Sequence, residues 1–151
     1  MINTMENTKM FARRKDENNS LYECYARKNG LQGKSLLILM WLYYNPNGII
    51  QNKICKQTYS TKQVVNATIK SFKKKGYIFF EENIEDRRAK RVKLTEEGRS
   101  YAAKILDPLE EVEVKAMSKL TEEQQKQFTE LFTIFNNHFK ENIEQLIKGS
   151  V

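Results

Sequence analysis

One histidine, two cysteines and two prolines in 151 residues exclude a good deal. Zinc sites draw several histidine or cysteine side chains together, and His138 is the only histidine, so no metal is expected. Cys24 and Cys55 do not amount to a disulfide framework, and each reads as a buried thiol packed like a small hydrophobe. The longest apolar run covers residues 36–42, far short of the roughly 20 residues that span a membrane. The N-terminus is polar and lacks the apolar centre of a secretory signal; a cytoplasmic protein without membrane contact is expected. No nucleophile–base pair and no glycine-rich phosphate loop stands out, and the carboxylates fall on charged helical faces. Neither an enzyme nor a cofactor is expected.

What the chain does have is positive charge in one place. Residues 51–93 carry twelve Lys/Arg against four Asp/Glu, whereas the remainder carries fourteen against fifteen. The net excess of +7 therefore belongs to that segment. Clustered cations bind phosphates by releasing counterions. The blander reading is a solvated lysine face.

The order of elements in this segment favours the first reading. A helix is predicted from Ile50 to Gln57, with Ile54 and Cys55 inward and Thr58 closing the face, followed by a Thr58-Tyr59-Ser60 turn. Thr61 is an N-cap residue for a second helix reaching about Lys75, and Gly76 is its stop. Val65, Ile69 and Phe72 recur at helical spacing and form the buried stripe. Lys62, Gln63 and Asn66 lie off that stripe in the first turns, where a recognition helix meets base edges. Residues 77–80 and 91–94 read as strands joined by a charged loop, which makes a wing. An arginine at a wing tip can enter a minor groove. Asp86 either orients Arg88 or is a plain hairpin residue.

Around this unit the chain reads as helix. Residues 1–9 are polar and are expected to be loose. Met10, Phe11, Leu21, Tyr22 and Tyr25 suggest a first helix ending in a basic turn and Asn29-Gly30. Residues 34–44 are apolar nearly all round, the mark of a buried helix. Thr95 caps a long helix that Pro108 should bend or break. Thr121 and Gln124 fit a capping box for the last helix. Its apolar face, from Phe128 through Leu131, Phe135 and Phe139 to Ile147, is too large to leave in water. It should bury against the first helix and a second subunit. A two-fold dimer would place two recognition helices one DNA turn apart on a palindromic site.

The fold class expected is mainly α with a small β-hairpin wing: a winged helix-turn-helix over residues 34–99, with residues 1–33 and 100–151 as a helical dimerisation region. From about Leu21 to Ile147 the chain resembles the MarR (multiple antibiotic resistance regulator) family of winged-helix transcription factors. The run Asp86-Arg87-Arg88-Ala89-Lys90-Arg91-Val92-Lys93-Leu94-Thr95-Glu96-Glu97-Gly98 is similar to the family's wing, Asp-x-Arg, a short strand, then Leu-Thr-x-x-Gly. The resemblance implies a homodimeric repressor that binds double-stranded DNA at an inverted-repeat operator and is released by a small-molecule effector or an oxidant. It makes Arg88 the minor-groove arginine with Asp86 its partner. It assigns Thr61, Lys62, Gln63, Val64 and Asn66 to base and phosphate reading, and Lys56, Arg87 and Lys90 to phosphates. Val64 would meet a thymine methyl or simply pack.

Three residues depart from the family pattern. Tyr59 stands where a small residue, often glycine, is usual; Ser60 replaces an aliphatic; Cys55 replaces an alanine. Tyr22, Tyr25, Trp41 and Tyr44 are candidates to line a pocket for a small aromatic or apolar effector, although aromatic residues so spaced are more often core. A reading from another class also stands: a winged-helix protein–protein adaptor whose basic face meets an acidic partner, with no operator.

Overall fold

The computed structural model describes residues 3–149. Six helices and three short strands follow in the order α1 (Thr4–Lys28), α2 (Gly33–Tyr43), β1 (Ile49–Ile50), α3 (Gln51–Thr58), α4 (Lys62–Lys74), β2 (Ile78–Glu82), β3 (Lys90–Leu94), α5 (Glu96–Met117) and α6 (Glu122–Gly149). The chain divides into two compact units, Met1–Asp107 and Pro108–Val151. No helix among the described residues is long and apolar enough to cross a membrane.

The first unit is built around α2. Leu36, Ile38, Leu39 and Leu42 on this helix are buried, together with Ile54, Val65, Ile69, Phe72, Val92 and Leu106 from the elements around it. The sheet has the antiparallel order β1-β3-β2. Val92 faces both Ile49 and Phe80 across its two neighbours, so β3 is the central strand. The pair Ile49-Ile50, at the point where the sequence suggested the start of a helix, is instead the third strand. The helix begins one residue later.

Local chemistry explains most helix ends. Asn3 and Glu6 form a reciprocal capping box, so α1 begins at Thr4 and residues 4–9, expected to be loose, are helical. With no glycine or proline among them, nothing interrupts the helix once it is nucleated. At its other end Gly30 adopts φ +72°, and Leu31 N–H donates to the Ala26 carbonyl. The same motif closes α4, with Gly76 at φ +77° and Tyr77 N–H on the Phe72 carbonyl.

Helix α3 ends the same way with the wrong residue. Ser60 N–H donates to the Cys55 carbonyl, and Tyr59 occupies the left-handed position at φ +50°. A β-carbon there costs about 1 kcal/mol, and the Tyr59 side chain is 74% exposed, so little packing offsets the cost. Tyr59→Gly is expected to raise stability by about 1 kcal/mol, read as a higher urea midpoint at unchanged slope.

Helix α5 runs through Pro108 without a break. The proline leaves the Lys104 carbonyl without its helical donor. Just before it, two tyrosines tie the first unit down. Tyr25 donates its hydroxyl to the Ile105 carbonyl at 2.6 Å, and Tyr43 donates to the Asp107 carboxylate at 2.8 Å.

In the second unit, Thr121 and Gln124 complete the expected capping box, with Gln124 N–H on the Thr121 hydroxyl at 3.2 Å and Thr121 N–H on the Gln124 amide oxygen at 2.9 Å. No residue of α6 is buried within the single chain. Phe128, Leu131, Ile134 and Ile147 of its apolar face are all more than half exposed in the single chain. Cys24 is exposed rather than buried, and Cys55 is half-buried.

Candidate nucleic-acid interface

Helix α4 is held by its buried side and presents the other. Val65, Thr68, Ile69 and Phe72 are buried. The Thr68 hydroxyl meets that of Ser35 at 3.2 Å, which fixes the helix against α2. Thr61 caps it by accepting the Val64 N–H at 3.2 Å. Lys62, Gln63, Val64 and Asn66 are all exposed on the first turns. Val64, 39% exposed, is not packed away.

The relative placement of α3 and α4 has two polar ties. Lys34 donates its ammonium to the Thr58 carbonyl at 2.5 Å, capping the C-terminal end of α3 where the helix dipole is negative. At the other end of α3, the Gln51 amide nitrogen donates to the Asn66 amide oxygen. Neither Lys34 nor Gln51 was among the sequence candidates. Their partners lie 24 and 15 residues away, and no periodicity reports such a contact.

The wing loop is an ordered turn. The Asp86 carboxylate accepts the Arg88 N–H at 3.0 Å, and its carbonyl accepts the Ala89 N–H at 3.1 Å. Asp86 thus holds the backbone of Arg88 and not its guanidinium. Among the described residues the Arg88 side chain forms no hydrogen bond or ion pair. Asn83, nearly buried, accepts the Glu85 N–H and steadies the start of the loop.

Charge is divided unevenly over this face. All four acids of residues 51–93 lie at Glu81, Glu82, Glu85 and Asp86, and five cations lie at Arg87, Arg88, Lys90, Arg91 and Lys93. Cross-strand pairs oppose them: Glu81 with Arg91 and Glu82 with Lys90 in register. Lys93 reaches Glu81 at 2.5 Å, and Arg87 lies 3.9 Å from Glu82. The wing is nearly neutral. The other seven lysines lie on the α3–α4 unit, which has no acid at all, and Lys56 is exposed among them. The arrangement is chemically suited to an anionic polymer with a groove: hydrogen-bonding amides at the centre, lysines around them, and one uncommitted arginine at the tip of a hairpin.

The aromatic candidates are dispersed among structural roles. Tyr25 is committed through its hydroxyl to α5. Trp41 is half-buried, and its carbonyl accepts from the Asn45 side chain. Tyr44 is half exposed beside Tyr43, with ring centres 5.4 Å apart, and Tyr22 is half-buried on α1.

Comparison with known proteins gives three results. Residues 29–89 match the family model described as MarR family. No curated relative matches the chain by sequence. Among solved structures, NMB1585, a MarR family regulator from Neisseria meningitidis, is similar with a TM-score of 0.77 at 19% identity, covering 92% of this chain and 97% of that one. The Staphylococcus aureus MepR–DNA complex gives a TM-score of 0.70 at 21% identity over 88% of this chain and 97% of that one. The transcriptional regulator SlyA gives 0.69 at 22%, covering 96% and 99%. Residues 29–89 thus match the MarR family model, and the chain as a whole shares the fold of these MarR-type structures.

Proposed function

We propose that the chain is a homodimeric transcriptional repressor that reads an inverted-repeat operator in double-stranded DNA. The observation that carries this reading is the exposed row Lys62, Gln63, Val64 and Asn66 on a helix surrounded by lysines and free of acids. Amides and a methyl-bearing side chain suit base edges in the major groove, and the lysines suit phosphates. The MepR–DNA complex among the similar structures supports it by analogy of fold. In this reading Lys56, Arg87 and Lys90 contact phosphates, and Arg88 enters the minor groove. Asp86 presets the Arg88 backbone.

Dimerisation by residues 1–33 and 100–151 belongs to the same proposal. An apolar face as long as that of α6 is seldom left in water. Leu131, 66% exposed at its centre, is the position to test. Leu131→Glu is expected to shift the protein from dimer to monomer in sedimentation while helical content by circular dichroism stays the same. A dimer of unchanged stability would remove α6 from the interface. Release by a small aromatic or apolar effector held near Tyr22, Tyr25, Trp41 and Tyr44 completes the reading.

Footprinting on the DNA beside the protein's own gene, with a salt titration, tests the whole. Protection of an inverted repeat with steep salt dependence is the expected result. Absence of protection at low salt would turn the assignment to an adaptor whose basic face meets an acidic protein.

A further inference from the structure

We infer that Gln51 sets the base preference of Asn66, so that the two amides act as one reading unit; this rests on the DNA-reading proposal above. The Gln51 nitrogen donates to the Asn66 oxygen, bridging the first residue of α3 to the exposed side of α4. Neither residue carries charge, so the pair adds nothing to phosphate attraction, and its effect falls on sequence preference.

The chemistry of that preference follows from which end of the Asn66 amide is engaged. An asparagine that pairs with adenine uses both ends, accepting from N6 and donating to N7. Here one of the two lone pairs of the oxygen is held by Gln51, which fixes the direction of the carbonyl and leaves it a single acceptor site, while both N–H donors on the Asn66 nitrogen are unused among the described residues. Two donors match guanine, whose major-groove edge offers N7 and O6 as acceptors. Gln51 also removes rotamer freedom from Asn66 before any DNA arrives, which lowers the ordering cost of binding.

The position of Gln51 is itself set by the sheet. It directly follows Ile50, which is paired with Arg91 of β3. The wing's central strand therefore decides where α3 starts and where the Gln51 amide can reach. Gln51 is a positioning residue for Asn66.

The test uses the full-length protein and the site found by footprinting. Competition binding is measured with all four base pairs at each operator position. The position read by Asn66 is the one at which Asn66→Ala loses discrimination, and guanine is expected there in the wild type. Gln51→Ala should lose about tenfold of discrimination at that same position. The double variant should be no worse than Asn66→Ala. Affinity for non-specific DNA and the salt slope should not change. Gln51→Glu gives a sharper readout. A carboxylate cannot donate to the Asn66 oxygen but can accept from its nitrogen, which turns the oxygen outward. Preference should then move from guanine toward a base that donates, cytosine or adenine. Gln51→Ala with wild-type preference at the Asn66 position would overturn the inference while leaving the operator reading intact, as would an Asn66→Ala variant that alters no position. A wild-type protein with no preferred sequence would overturn the DNA-reading proposal and this inference with it.

Discussion

Replacing Arg88 with alanine is expected to weaken operator binding by about ten- to a hundredfold, as loss of an arginine reaching into a groove does. Lys93 and Arg87 each have an acidic neighbour, Glu81 and Glu82. Arg91 donates to the Asn47 carbonyl at 3.3 Å. Arg88 has no such partner among the described residues, and its backbone is already fixed by Asp86. Its guanidinium gives up no internal interaction on binding. The same change at Arg87 should cost less. Its ion pair with Glu82 is long, and both side chains are largely exposed, so the pair itself contributes little. A gel-shift titration at several salt concentrations separates the two. Arg88→Ala should lower affinity and reduce the salt slope by about two, one for each subunit of the dimer, with the circular dichroism spectrum unchanged. Unaltered affinity would remove the wing tip from the DNA interface.

Gly98→Ala is expected to destabilise the fold by at least about 3 kcal/mol. In an ordinary helix the same exchange would stabilise it by about 1 kcal/mol, so the sign tests the packing directly. Gly98 lies in the first turn of α5, where a β-carbon would come within 1.9 Å of the Tyr77 carbonyl oxygen. That oxygen cannot withdraw freely, because it accepts the Thr95 N–H at 2.9 Å. The Thr95 hydroxyl meanwhile donates to the Gly76 carbonyl at 2.7 Å and accepts the Gly98 N–H at 3.0 Å. One turn on, Tyr101 stacks on Tyr77 with ring centres 4.2 Å apart. Burial, and then the neighbouring Tyr77, push the Tyr101 hydroxyl pKa above its ordinary value, so the ring stays neutral in its site. An added methyl must displace this whole junction between the end of α4 and the start of α5. Urea unfolding reads the loss as a lower midpoint. A midpoint equal to or above the wild type would mean that the two segments do not approach so closely.

The Leu-Thr-x-x-Gly run at residues 94–98 was visible as a pattern before its reason was. Thr95 as a helix cap follows from residue type, and the cap is there. The need for glycine at 98 does not, because the clashing atom belongs to Tyr77, 21 residues earlier. Asp86 shows the same limit. As a turn residue it was expected near Arg88, but the choice between holding a side chain and holding a backbone took geometry to make. The charge count pointed to residues 51–93 as a whole. Strand pairing then revealed that the wing largely neutralises itself and that the excess lies on α3 and α4.

What the sequence by itself determined is therefore what acts over a few residues. The capping pairs at Thr61, Thr95 and Thr121 and the glycine stops at Gly30 and Gly76 each join atoms within about one helical turn. The buried stripe of α4 has a period that can be counted. Only the tertiary structure decided which distant groups would meet. Ile49 pairs with Val92, Tyr25 reaches the Ile105 carbonyl, and Gln51 finds Asn66. Each of these contacts closes a loop of chain whose entropy is recovered only when the core around α2 is packed. Such contacts follow from the packing, and no local pattern in the chain announces them.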